Sequence, residues 1–175
     1  NIAEAIFFFF LKYDYLARPV TVVPNTAEAL PKVEQEGKVY TFKIQPGIYF
    51  TDDPAFKGKR RELTAQDYIY SIQRISDPKN VSPTFSFIDG KIVGLNQLVD
   101  SAKKTGKFNY DAPIPGVKAL DKYTLQFTLT RSDYNFPYIL AYVTFSGTAR
   151  EVTDFYGDRL GQHPVGTGPY QLSKY

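Results

Sequence analysis

Two segments that alternate with a strict period of two constrain this chain more than anything else in it. In Val39 to Gln45, Tyr40, Phe42 and Ile44 share one face while Thr41 and Lys43 share the other. In Tyr123 to Thr130, Leu125, Phe127 and Leu129 face away from Thr124, Gln126 and Thr128. Successive side chains of a strand point to opposite faces, so each segment reads as a strand with one side on a core. Two helical patterns lie between them. Thr64 followed by Asp67 is a capping-box variant, with the carboxylate well placed in the first helical turn. Tyr68, Ile69, Ile72 and Ile75 then recur at helical spacing until Asp77-Pro78 ends the run. The second pattern carries Leu95, Leu98, Val99 and Ala102 on one face, with Lys103 and Lys104 near the C-terminal dipole and Gly106 as the stop. A shorter helix is expected from Ala149 to Tyr156, with Val152 and Phe155 inward and Gly157 closing it. Pro46-Gly47, Asp53-Pro54, Pro113 to Gly116 and Gly166 to Pro169 mark turns. Strands and helices interleave without a regular βαβ rhythm or any internal repeat. The expected fold class is therefore mixed α/β, in the form of an α+β subdomain.

Composition narrows the function. With 43% hydrophobic and 22% charged residues the chain has the means to fold rather than stay disordered. A net charge of +3 with scattered basic residues argues against a nucleic-acid partner, which needs Lys and Arg gathered on one face. The absence of cysteine excludes thiol catalysis, cysteine metal sites and disulfides. The longest apolar run, Ala5 to Leu11, is far shorter than the roughly 20 residues that span a bilayer. It follows Glu4 with no basic stretch before it, so it reads as a buried strand or helix start rather than a signal peptide. There is no Met, and Gly168 to Tyr175 reads as the opening of a strand, so the chain is expected to be a fragment.

The chemistry-bearing motifs point away from catalysis. His163 is the one histidine, and no G-x-S-x-G elbow accompanies it, so a loop role is expected. Asp52-Asp53-Pro54 lacks the spaced ligands of a calcium loop and reads as a turn. Gly58-Lys59-Arg60-Arg61 is not a phosphate loop and reads as a solvated face. Gly166-Thr167-Gly168 is too short for a dinucleotide fingerprint. No catalytic residue, metal site or cofactor is expected. The 14 Tyr and 14 Phe are an excess that a core must mostly absorb. Thr84 to Phe87 and Tyr138 to Phe145, however, put aromatics beside turn signals, where rings can line a concave site.

Several stretches together resemble one family. They are Pro24-Asn25-Thr26-Ala27-Glu28-Ala29-Leu30, Glu36 to Ile44, Pro46-Gly47-Ile48-Tyr49-Phe50 and Leu63 to Ser71. Asp77-Pro78, Ser82-Pro83 and Pro164-Val165-Gly166-Thr167-Gly168-Pro169-Tyr170 complete the set. In this order they are similar to the dipeptide/oligopeptide-type (family 5) bacterial extracellular solute-binding proteins of ABC importers. The resemblance implies a periplasmic-binding-protein-like class II fold of two lobes, of which this chain is part of the first. Residues 1–15 and 151–175 would be pieces of lobe one, 16–150 its smaller inserted subdomain, and the second lobe would lie outside the chain. It implies non-enzymatic capture of a peptide or similar solute outside the cytoplasm, and delivery to the permease subunits of an ABC transporter. The membrane would be reached through that transporter or an N-terminal anchor. It offers Phe85, Tyr142, Thr144 and Phe87 as ligand-binding residues, Phe87 being the one of the four that leans to the core. The acidic residue that holds a peptide amino terminus in relatives belongs to the missing lobe, so no Asp or Glu here takes that role. A ligand-sensing domain of a regulator remains open, as does a nickel complex, haem, sugar or opine as the solute, because one scaffold serves many ligands.

Overall fold

The alternating segments become neighbouring antiparallel strands. β4 (Val39–Lys43) and β6 (Thr124–Thr128) pair with Tyr40 opposite Phe127 and Phe42 opposite Leu125. Residues directly opposite share a face, so this register puts both apolar sets on one side of the sheet. In this computed structural model, which describes residues 10–142 and 145–169, β3 (Lys32–Glu34) flanks β4 and β5 (Val117–Asp121) flanks β6. A separate two-stranded sheet joins β1 (Leu11–Asp14) to β2 (Thr21–Pro24). Among the described residues there are four α-helices, in chain order α1 (Ala65–Ser76), α2 (Leu95–Thr105), α3 (Phe136–Tyr142) and α4 (Arg150–Tyr156). Short 3-10 turns led by proline, at Pro54–Phe56, Pro78–Asn80 and Pro83–Phe87, link them. Most of the Ala5 to Leu11 run and most of the expected strand opening from Gly168 to Tyr175 lie outside the described residues.

α1 starts and stops where its capping chemistry dictates. The Asp67 carboxylate accepts the Thr64 N–H at 2.8 Å, satisfying a donor that the helix cannot. At the other end Asp77 leaves the helix and its carboxylate takes the Lys79 N–H, which begins the Pro78–Asn80 turn. Tyr68 and Ile72 are fully buried. α2 buries Leu95, Val99 and Ala102, the last two against Phe108. It ends at Gly106, whose φ of 74° needs a residue without Cβ.

Three expectations are corrected. Phe155 of α4 is 53% exposed, and the inward place goes to Tyr156, whose hydroxyl donates to Asp53 at 2.8 Å. Thr124 sits on the polar face of β6 yet is buried, because it donates to Asp121 at 2.8 Å and receives Lys43 at 3.2 Å. The segment read as loop-adjacent aromatics after Asn135 contains α3. The Asp133 carboxylate starts it by accepting the Asn135 N–H, an Asx-type turn that the apolar run itself does not announce.

Aromatic rings knit the core. Phe10 lies 4.6 Å from Tyr68 and 4.8 Å from Phe42, centroid to centroid, and Tyr68 lies 5.2 Å from Phe145. Phe127 reaches Phe42, Phe136 and Phe145 in edge-on contacts. Tilted and edge-on pairs satisfy the ring quadrupole and add roughly 0.5–1.5 kcal/mol each beyond burial.

Glu62 fastens the rim of the sheet. It accepts Lys122 at 2.6 Å, the Tyr123 hydroxyl at 2.7 Å and the Gly47 N–H at 2.8 Å. These bonds tie the 46–47 turn to the β5–β6 hairpin and hold its carboxyl down at about 2, against an ordinary value of 4.5. A carboxyl lowered by folding stabilises the native state above its unfolded pKa and loses that stabilisation as pH falls through the folded one. The stability gap between the intact protein and Glu62→Gln should therefore be full above about pH 4.5 and shrink toward pH 2. Denaturant titrations across that range measure it, and a gap independent of pH contradicts the clamp.

Candidate functional site

The stretches singled out for ligand contact converge beside one flank of α1. Ser71, Arg74 and Ile75 lie on that flank at helical spacing. Opposite them stand the Ser82-Pro83 turn and the segment Phe145 to Thr148, and a cavity of about 390 Å³ lies between. After Pro83 the chain enters a 3-10 turn, in which residues three apart eclipse. Phe85 and Ile88 consequently share the inner side. Ile88 is buried, and Phe85 is half-buried against both hydrophobic clusters. Phe87 projects outward, 38% exposed, and its ring meets Tyr142 with centroids 4.9 Å apart at 57°. Tyr142, at the end of α3, is 61% exposed. The expected leaning of Phe87 to the core is thus reversed: Phe85 takes the inner place and Phe87 the outer one. Thr144 lies outside the described residues. A patch of tyrosines adjoins this face, with the Tyr13 hydroxyl donating to the Tyr138 carbonyl at 3.1 Å.

The far wall is pinned from several sides. The Phe10 N–H donates to the Phe145 carbonyl at 2.7 Å, and the Ser71 hydroxyl donates to the Ser146 carbonyl at 2.6 Å. The Thr148 N–H donates to the Asp67 carbonyl at 3.1 Å. Gly147 passes so close to Leu63 that a Cβ there would lie 2.3 Å from its Cδ1.

Beneath this wall is an ion-pair network that sequence reading missed. Arg61 was placed on a solvated loop face. Its guanidinium instead grips the buried Asp67 carboxylate through two bonds, at 2.6 and 3.0 Å, and reaches Glu151 at 2.8 Å. Only Asp67 hinted at it, since an acidic cap inside a buried helix start needs a cation. Burial pushes the Asp67 carboxyl up while Arg61 pulls against it. Burial also opposes charge on Arg61, but the bonds to Asp67 and Glu151 outweigh it and raise the guanidinium further. At Glu151 burial again acts upward, and Arg61 wins, leaving that carboxyl below its ordinary range.

Elsewhere the chemistry is sparse. His163 stacks flat on Tyr156, centroids 4.2 Å apart and planes 9° apart. Among the described residues no group of three or more His, Asp or Glu could hold a metal ion. Asp53 caps the Pro54–Phe56 turn, in line with the turn reading of Asp52-Asp53-Pro54. A larger cavity of about 760 Å³ lies on the other flank of α1, between Ile69, Gln73 and the 110–120 segment. No helix among the described residues is long and apolar enough to cross a membrane.

Mixed strands and helices thus carry a cavity beside α1 and, on the turn that leads away from its Ser82-Pro83 edge, an exposed ring paired with Tyr142. The profile of the bacterial extracellular solute-binding proteins, family 5 middle region, matches residues 21–175. The chain belongs to this family, whose members are solute-binding components of transporters. It is 30% identical over 164 residues to the dipeptide-binding protein of Escherichia coli (strain K12), covering 88% of this chain and 27% of that protein. It is 28% identical over 178 residues to the periplasmic oligopeptide-binding protein OppA of the same organism, covering 100% of this chain and 29% of that protein. It superposes on a periplasmic oligopeptide-binding protein of Borrelia burgdorferi with a TM-score of 0.77 at 25% identity, over 99% of this chain and 32% of that one. On Listeria monocytogenes OppA bound to peptide the TM-score is 0.76 at 23% identity, over 100% and 31% of the two chains. The mixed fold of periplasmic-binding-protein type expected from sequence is the fold observed, and the chain spans about a third or less of the length of these relatives.

Two stability measurements follow. Phe145→Ala, which empties a fully buried ring site, should cost about 3–5 kcal/mol, whereas Tyr142→Ala should cost less than about 1 kcal/mol. Chemical denaturation of the two variants in the intact protein compares them, and equal losses would place Tyr142 in the core. Gly147→Ala should cost about 1–3 kcal/mol through overpacking on Leu63, and Leu63→Ala should relieve part of that penalty in a double-mutant cycle.

Proposed function

We propose that the protein captures a peptide or similar small solute outside the cytoplasm and hands it to the permease subunits of an ABC importer. The observation that carries this reading is the exposed ring pair of Phe87 and Tyr142, on a family 5 solute-binding chain whose Ser82-Pro83 turn, just before Phe87, also edges the 390 Å³ cavity. Exposed rings held by a rigid helix and a proline-led turn give apolar contact area at small entropic cost, and the Tyr142 hydroxyl adds a donor and acceptor. Phe85, half-buried behind them, acts as support for the wall, and Thr144 follows Tyr142 in the same stretch. With this goes the proposed layout, in which 16–150 is an inserted subdomain framed by lobe-one pieces at 1–15 and 151–175. A second lobe from the rest of the protein would close on the ligand, since closed sites bury most of a small ligand's surface. Family membership and the names of the relatives support the periplasmic or extracytoplasmic setting.

Mass spectrometry of small molecules released from the purified full-length protein tests this directly. Peptides should be recovered, and Tyr142→Ala should lower their affinity about tenfold while leaving the unfolding midpoint nearly unchanged. Recovery of a nickel complex, haem, sugar or opine would keep the class and replace the solute. Absence of any bound or bindable solute would sink the reading.

A further inference from the structure

The cavity beside α1 is charged with one sign only. Among the described residues lining it, Arg74 is the charged one, the others being Ser, Thr, Asn or apolar, and no carboxylate faces it. Arg74 shares its helix flank with Ser71 and Ile75, so it borders the cavity rather than the hydrophobic core. Its guanidinium makes no ion pair or hydrogen bond among the described residues. Two other arginines are engaged in ion pairs. Arg61 holds Asp67 and Glu151, and Arg150 holds Asp111. The field of Arg74 reaches Tyr110 on the next flank of the helix, where it pulls against the burial and the Asp77 bond that raise that phenol, yet no acceptor there takes its protons. The surrounding backbone is pinned, with the Asn80 amide donating to the Arg74 carbonyl at 2.8 Å and the Ser71 hydroxyl committed to the opposite wall.

We propose that this cavity receives a carboxylate of the bound solute and that Arg74 is the residue that holds it, so that the protein favours acidic peptides. The inference rests on the solute-binding reading above. A guanidinium offers a planar fork that fits a carboxylate with two parallel bonds, and partial shielding from water strengthens them. About 390 Å³ suits a side chain or a chain terminus rather than a whole peptide, being near the lower end of ligand-pocket volumes of roughly 300–1,000 Å³. The carboxylate can come from an acidic side chain or from the peptide C-terminus, and the two are separable by experiment.

Calorimetry on the full-length protein with four tripeptides decides the matter. Ala-Glu-Ala against Ala-Gln-Ala tests the side chain, and Ala-Ala-Ala against its C-terminal amide tests the terminus. In the wild type one acid should bind about tenfold more tightly than its neutral partner. Arg74→Gln should abolish that preference and leave the affinity for the neutral partner unchanged, while Arg74→Lys should keep part of it. Loss of the Glu-over-Gln preference assigns the side chain, and loss of the acid-over-amide preference assigns the terminus. Peptides that bind the wild type with no preference for either acid overturn the inference without recourse to a variant. So does a preference that survives Arg74→Gln. If none of the peptides binds the wild type, this inference falls together with the peptide reading.

Discussion

The carboxylate of Asp67 is the point through which the described structure is held together. It caps α1, grips Arg61 from the preceding loop and, through its backbone carbonyl, receives Thr148 from the cavity wall. The helix start, the loop before it and the distant 148 segment thus meet at one buried residue. A buried carboxylate is tolerable only with its charge matched and its lone pairs occupied, and removal of one partner from such a pair costs about 3–5 kcal/mol. The network therefore fixes where the 145–151 segment runs. Gly147 completes the arrangement by letting that segment lie against Leu63.

α1 divides the chemistry because a helix presents different residues to each side. One face, with Tyr68 and Ile72, sits in the aromatic core with Phe10, Phe42 and Phe145. A second, with Ile69 and Gln73, lines the larger groove against the 110–120 segment. The third, with Ser71, Arg74 and Ile75, borders the smaller cavity. The third side meets the Ser82-Pro83 turn that leads to Phe87, and it carries Arg74, which has no ion-pair partner among the described residues. The same helix that organises packing thereby separates an apolar interior from a polar recess a few residues away.

Much of the fold was readable because its signals are local. The period-two runs around Phe42 and Phe127, the Thr64–Asp67 cap, the Asp77-Pro78 break and the Gly106 stop each act through neighbouring atoms, and each is realised in the structure. α3 escaped notice because its start depends on an Asx turn at Asp133 inside an aromatic run without helical punctuation. Phe87 was assigned inward because residue type favours burial for phenylalanine, whereas the three-residue repeat of the 3-10 turn gives the inner place to Phe85 and Ile88. Arg61 looked like part of a solvated basic run, since nothing nearby in sequence reveals that Glu151 will arrive beside it.

By itself, the sequence determined the two central strands and their inner faces, the limits of α1 and the end of α2, the lack of any cysteine chemistry and the family to which the chain belongs. These follow from alternation, capping and motif order, which short-range sterics and hydrogen bonding impose. Tertiary structure alone decided that β4 and β6 are neighbours, that Glu151 joins Arg61 beside the buried Asp67, that Phe87 rather than Phe85 stands beside Tyr142, and that Arg74 borders a cavity without a carboxylate. The reason is that each of these depends on segments separated by many tens of residues meeting in space. Which partner a charge or a ring finds is set by packing of the whole, not by its neighbours along the chain.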